Sequence, residues 1–140
     1  MLCSEIMTPN PQYVLPSDPV MKAAKLMKSE DVGPIPIVDD KDGKRLAGIV
    51  TDRDLAIKIV AEARDPKTTL VKEVMTDDVV TCNENEDVRK ALKLMQENQV
   101  RRIPVVDNSD HLLGIISQAD VATRLGNDRA TGQVVEDISH

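Results

Sequence analysis

The chain has 140 residues with no tryptophan, no phenylalanine and a single tyrosine, Tyr13. A core built without aromatic rings must rest on Val, Ile, Leu, Met and Ala, and a flat ligand would be gripped mainly between aliphatic side chains, with ring stacking available from Tyr13 alone. Positive charge is also in deficit: 18 Lys and Arg stand against 24 Asp and Glu, for a net charge of -6. This balance argues against a phosphate-backbone binder, so nucleic acid is not an expected partner. No apolar run approaches the ~18 residues needed to span a bilayer, and the first residues lack the basic-then-apolar layout of a signal peptide, so the expectation is a cytoplasmic protein without a membrane partner. Of the two cysteines, Cys3 and Cys82, each stands alone, which predicts reduced, packed thiols rather than a disulfide.

What the chain does have is a repeat. Glu5-Ile6-Met7-Thr8 returns as Glu73-Val74-Met75-Thr76, Lys22 to Met27 as Lys90 to Met95, and Ile35-Pro36-Ile37-Val38-Asp39 as Ile103-Pro104-Val105-Val106-Asp107, all about 68 positions apart. The register then slips by about two, so that Gly48 to Asp54 matches Gly114 to Asp120, as a short deletion at a turn would produce. Half of such a chain would be a marginal core, which predicts one module of two pseudo-equivalent lobes. The divisions expected are a first repeat over 1–66, a second over 67–126 and a loose tail over 127–140, in which Val134, Val135 and Ile138 are candidates for a final docked element. The polar stretch Arg64 to Thr69 reads as the linker between lobes.

Each half follows one order. Ser17-Asp18-Pro19 offers a cap and a proline before a helix whose apolar face is Val20, Ala23, Ala24 and Met27; in the second half Asn85 is the expected cap, ahead of Val88, Ala91, Leu92 and Met95. Met27 and Met95 at this spacing are core filler. A β-branched run follows, then a turn rich in Asp, Asn and Gly, then a second apolar run, which together read as a β-hairpin. A second helix starts after Thr51 or Ser117, and short extended pieces are expected around residues 11–15 and 79–82. The segment Leu55 to Ala63 is apolar on more than one face, which predicts a covering surface and, with the prevalence of closed twofold dimers, a homodimer.

The sharpest constellation is Thr51-Asp52-Arg53-Asp54 with its echo Ser117-Gln118-Ala119-Asp120. A hydroxyl and a carboxylate three residues apart at the start of a helix can be a simple cap. They can also accept the two hydroxyls of a ribose on the carboxylate, while helix N–H groups and the hydroxyl receive a phosphate. Both readings can hold together. No G-x-G-x-x-G or Walker A run is present, Asp40-Lys41-Asp42-Gly43 lacks the terminal glutamate of a calcium loop, and His111 and His140 have no neighbours at ligand or triad spacing. No nucleophile or general base stands out, so no enzyme, no required cofactor and no metal is expected.

The hydrophobic-Pro-hydrophobic-hydrophobic-Asp strand followed by Gly-hydrophobic-hydrophobic-Ser/Thr-x-x-Asp, found twice in order up to about Leu125, resembles a cystathionine-β-synthase (CBS) domain, and the two copies resemble a CBS pair, or Bateman module, of the stand-alone bacterial kind. The resemblance implies an α/β (α+β) fold of two β-α-β-β-α repeats packed sheet to sheet with pseudo-twofold symmetry. It also implies clefts for adenosine-containing ligands such as AMP, ADP, ATP or S-adenosylmethionine, acting as regulatory ligands. Carried onto this sequence, one cleft would use Ser117 and Asp120 for ribose, Thr8, Tyr13, Gly33, Pro34 and Ile35 from the first lobe, and Arg101 for phosphate. Its counterpart would use Thr51 and Asp54 with Thr76, Thr81, Val100 and Arg102. Gly33-Pro34 stands where the second lobe has Arg101-Arg102, so the cleft with Asp120 and Arg101 is expected to bind nucleotide more tightly, with Arg53 as a possible compensation in the other. Tyr13 reads either as a half-buried tyrosine with a wet hydroxyl or as a lid over the base. The alternatives to a nucleotide sensor are a structural or stress-associated interaction protein with vestigial clefts, and a regulator that acts in trans on an enzyme or other protein target.

Overall fold

A computed structural model describes residues 1–130, the last four of them through their backbone only; the expected docking of Val134, Val135 and Ile138 lies outside the described residues. The chain forms two compact units, one from Met1–Pro11, Val80–Asn108 and the chain from Leu113 onward, the other from Gln12–Val79 with Ser109–Leu112. The units are therefore not the repeats. Each repeat lends its opening segment to the unit that holds the body of the other.

The first unit contains helix α1 (Cys3–Ile6), strand β1 (Thr8–Pro9), strand β4 (Cys82–Asn83), helix α4 (Val88–Glu97), strands β5 (Arg102–Val106) and β6 (Leu112–Ser117), and helix α5 (Gln118–Ala130). Its sheet runs β1-β6-β5-β4. β1 is antiparallel to β6 with Thr8 opposite Ile115, and β4 is parallel to β5 with Cys82 opposite Val105. The second unit contains helix α2 (Val20–Glu30), strands β2 (Ile35–Val38) and β3 (Leu46–Val50), and helix α3 (Asp52–Leu55), which continues as a π-helical turn over Ala56–Val60. β2 and β3 are antiparallel, with a bulge between Ile37 and Val38 that leaves Ala47 unmatched. Val14 bridges to Ile37 on one side and Thr76 to Ile49 on the other, which repeats the four-stranded order of the first unit. The expected mixed fold is present, as are the extended pieces near 11–15 and 79–82.

Each unit has its own aliphatic core. One gathers Ile6, Val88, Ala91, Leu92, Met95, Ile103, Val105, Ile116, Val121 and Leu125, and the other Val14, Val20, Ala23, Ile35, Ile37, Val50, Ile59, Val71 and Val74. Cys3 and Cys82 are free, buried thiols in the first core. They sit at unrelated positions of the repeat, yet the exchange of opening segments makes them neighbours. The hydrogen bond between them lowers the Cys3 pKa; with burial it raises that of Cys82.

Four local expectations change. Asp87, not Asn85, caps α4, its carboxylate accepting the Arg89 N–H at 2.9 Å, while Asn85 donates its N–H to the Asn83 side chain in the preceding turn. Asp18 does not cap α2: its Oδ2 accepts the Leu15 N–H at 2.8 Å and faces Lys22 at 3.3 Å. The free N–H groups at the start of α2 find backbone instead, Val20 N donating to Thr69 O at 2.9 Å and Met21 N to Pro66 O at 3.0 Å. The stretch 64–69, expected as a linker, is thus held within the second unit, with Thr69 buried, and the chain leaves that unit at Val79. Finally, α5 passes Leu125 and Gly126 and is helical as far as Ala130, the last described residue, inside the expected tail.

Candidate functional site

The two strand-to-helix junctions are built alike. The Asp52 N–H donates to Gly33 O at 3.1 Å in one unit, and the Gln118 N–H to Arg101 O at 2.7 Å in the other. These bonds make Gly33 and Arg101 true structural equivalents and hold the segment before each Pro-containing strand against the first turn of the following helix. Among the described residues, six non-glycine residues have left-handed backbone, and four of them form repeat-related pairs, Asp31 with Gln99 and Lys44 with Asp110.

The junctions differ in side-chain chemistry. Thr51 Oγ1 accepts the Asp54 N–H at 3.1 Å, and Asp54 Oδ2 accepts the Thr51 N–H at 3.0 Å and the Thr51 hydroxyl at 3.1 Å, a reciprocal cap. Lys58 adds an ion pair to Asp54 Oδ1 at 3.3 Å. At the other junction Ser117 Oγ accepts the Asp120 N–H at 3.0 Å, but the exposed Asp120 carboxylate has no partner among the described residues.

Beside Ser117 lies a cavity of about 590 Å³ lined by Leu92, Gln96, Arg101, Arg102, Ser117, Gln118, Ala119 and Ala122. Two guanidinium groups, a hydroxyl and the N-terminus of a 13-residue helix converge on it, a combination suited to an anion. Thr8, paired with Ile115 on the neighbouring strand, Thr81 and Val100 belong to this same unit. Thr8 was expected from the first lobe; strand pairing puts it in the unit of Ser117 and Asp120, because a short segment on its own satisfies its backbone by joining an available edge.

The second unit collects Tyr13, Gly33, Pro34, Ile35, Thr51, Asp54 and Thr76. Thr76 exchanges both backbone hydrogen bonds with Ile49, at 2.8 and 2.9 Å. Tyr13 is half-buried with Lys44 Nζ 5.6 Å from its ring centre. Ile35 is buried in the core, so only its main chain is available to a ligand. A β-carbon on Gly33 would stand 3.1 Å from an Asp52 carboxylate oxygen, so this junction carries close acidic contact where its counterpart carries Arg101. Arg53 is exposed on the first helical turn.

Sequence reasoning missed Lys58, which the i, i+4 spacing from Asp54 signals, and Gln96 and Gln118, which only the cavity reveals. In the Asp-rich turn, the Asp39 and Asp40 carboxylates accept backbone N–H groups of the turn itself, Asp40, Arg45 and Asp42 among them. Among the described residues no cluster of His, Cys, Asp or Glu is arranged to hold a metal, and no helix is long and apolar enough to cross a membrane.

Comparison with known proteins agrees with this architecture. The CBS domain model matches residues 3–61 and again 71–127. The CBS domain-containing protein YhcV of Bacillus subtilis is 37% identical over 136 residues, covering 97% of this chain and 94% of that protein. Among solved structures, CBSX2 in complex with AMP superposes with a TM-score of 0.77 at 28% identity, over 91% of this chain and 98% of that one. The CBS domain pair of protein MJ0100, in complex with 5'-methylthioadenosine and S-adenosyl-L-methionine, does so with a TM-score of 0.75 at 29% identity, over 91% and 98%. With two matched domains filling most of its length and relatives similar from end to end, the chain belongs to the CBS domain family and consists of a CBS domain pair.

Proposed function

We propose that the protein is a regulatory module that binds an adenosine-containing ligand such as AMP, ADP, ATP or S-adenosylmethionine, with Asp120 as the ribose acceptor. The carrying observation is the meeting of Arg101, Arg102 and Ser117 at one cavity by the start of the helix that carries Asp120, whose carboxylate has no partner among the described residues. Arginine forks match phosphate oxygens, and a free carboxylate accepts a vicinal diol. The complexes of CBSX2 with AMP and of MJ0100 with S-adenosylmethionine support the ligand class. No catalytic role and no required cofactor enter this reading; the ligand shifts a conformational equilibrium by its differential affinity for the two states, in a protein that works in the cytoplasm.

The test is calorimetric unfolding with AMP, ADP, ATP, NAD or S-adenosylmethionine. A ligand at ~100 times its dissociation constant adds about 2.7 kcal/mol and raises the midpoint by several degrees. A panel without any rise would sink the reading.

A second reading, as an interaction protein or a regulator of an enzyme in trans, draws on a different observation. Ile57 is 46% and Val60 76% exposed, beside an apolar groove of about 460 Å³ lined by Val20, Met21, Ala24, Leu55, Ile59 and other residues. This surface is the proposed homodimer contact. Sedimentation of Val60→Asp should give monomer where the native chain gives dimer; a native monomer would reject it.

A further inference from the structure

The two junctions differ in how much of the motif carboxylate is still available. Each carboxylate oxygen offers about two acceptor sites. Asp54 Oδ2 already takes the Thr51 N–H at 3.0 Å and the Thr51 hydroxyl at 3.1 Å, which fills it. Asp54 Oδ1 faces Lys58 Nζ at 3.3 Å. The ammonium is anchored a second time, donating to Val74 O at 2.9 Å, so it is held over the carboxylate from both sides. Asp54 is largely buried, at 14% exposure against 41% for Lys58. A vicinal diol, which seeks one acceptor on each oxygen, finds a single free site.

The other junction carries none of this. The Ser117 hydroxyl accepts the Asp120 N–H at 3.0 Å, but among the described residues the carboxylate returns no hydrogen bond. Arg124, the equivalent of Lys58, is exposed and makes no ion pair with Asp120 among the described residues. Among the described residues nothing occupies either oxygen of Asp120, which stands on the first turn of the helix whose Gln118 and Ala119 line the Arg-containing cavity.

We infer that Lys58 is a specificity-determining residue that keeps the Asp54 junction closed, so that a CBS pair with two motif aspartates takes up one nucleotide per chain, at Asp120. The inference rests on the nucleotide-binding reading above. A ligand entering at Asp54 must displace Lys58, which also takes the donor from Val74 O and loosens the segment that leads to Thr76 and its pairing with Ile49.

Titration calorimetry with AMP decides it, using the full chain and the variants Lys58→Met, Lys58→Arg and Asp120→Ala. The native protein should bind one AMP per chain, and Asp120→Ala should abolish that event. Lys58→Met should bind two, and Lys58→Met with Asp120→Ala one. Lys58→Arg, which retains a cation, should stay at one, an outcome that a general loosening of the unit would not produce. Circular dichroism confirms that each variant is folded. Two equal sites in the native chain, or a single site in Lys58→Met, overturns the role of Lys58 while leaving nucleotide binding in place. Absence of AMP binding in the native chain and in Lys58→Met overturns both.

Discussion

The carbonyl oxygen of Thr76 lies 2.7 Å from the point where a β-carbon on Gly48 would stand. The same contact recurs in the other unit, where a β-carbon on Gly114 would meet Thr8 O at 2.8 Å and Met7 Sδ at 2.6 Å. The opening segment of each repeat therefore pairs alongside the second strand of the other with its backbone closed against that strand's glycine, and side-chain absence, not backbone freedom, is what these positions require.

Gly48→Ala and Gly114→Ala should each destabilise by about 1–3 kcal/mol, since backbone must move to relieve the overlap. Thermal unfolding should show midpoints lower by several degrees. Gly126→Ala, where nothing lies within 4 Å, is the control and should not lower the midpoint.

Gln99 sits at φ 55° just after α4, and the Val100 N–H closes the helix end on Met95 O at 2.9 Å. A left-handed backbone costs a non-glycine residue about 1 kcal/mol. Gln99→Gly should therefore raise the midpoint by a few degrees, and Asp31→Gly, at the equivalent position, should do the same. A fall in both would show that the side chains stabilise in ways the backbone does not reveal.

Arg101→Ala should weaken AMP binding roughly tenfold or more, the loss of a charge-assisted contact, and leave adenosine affinity nearly unchanged. Asp120→Ala should abolish binding of both ligands. Loss of nucleotide binding in Asp120→Ala with full affinity in Arg101→Ala would reject the phosphate assignment.

Acid should destabilise the fold through three carboxylates. Glu86 is held below the usual range by Lys90 and by the Asn83 N–H, Asp87 by the Arg89 guanidinium and N–H, and Glu73 by the Leu70 N–H and Arg64. A pKa lower in the folded than in the unfolded chain contributes stability that is present above the unfolded value, near 4, and is lost as pH falls through the folded one. Midpoints should be level in this respect down to about pH 5 and fall below it. Glu86→Gln should flatten that fall.

Much of this was legible in the chain. Helix faces such as Val88, Ala91, Leu92 and Met95, the two hairpins and the paired Thr51/Asp54 and Ser117/Asp120 junctions follow from periodicity and turn chemistry, which act over a few residues. The cap positions were less so, because Asp18, Asn85 and Asp87 are all competent acceptors and small differences in backbone direction choose among them.

By itself, the sequence determined that the protein is built twice from one plan, with an aliphatic core and a hydroxyl and carboxylate at the head of each second helix. The tertiary structure decided which copy completes which unit. Strand edges are satisfied by segments distant along the chain, so Thr8 pairs with Ile115 and Thr76 with Ile49, and Cys3 comes to rest beside Cys82. It also decided which carboxylate is free. Local spacing puts a cation four residues after both Asp54 and Asp120, but only Lys58 finds a second anchor, the carbonyl of Val74, to hold it there.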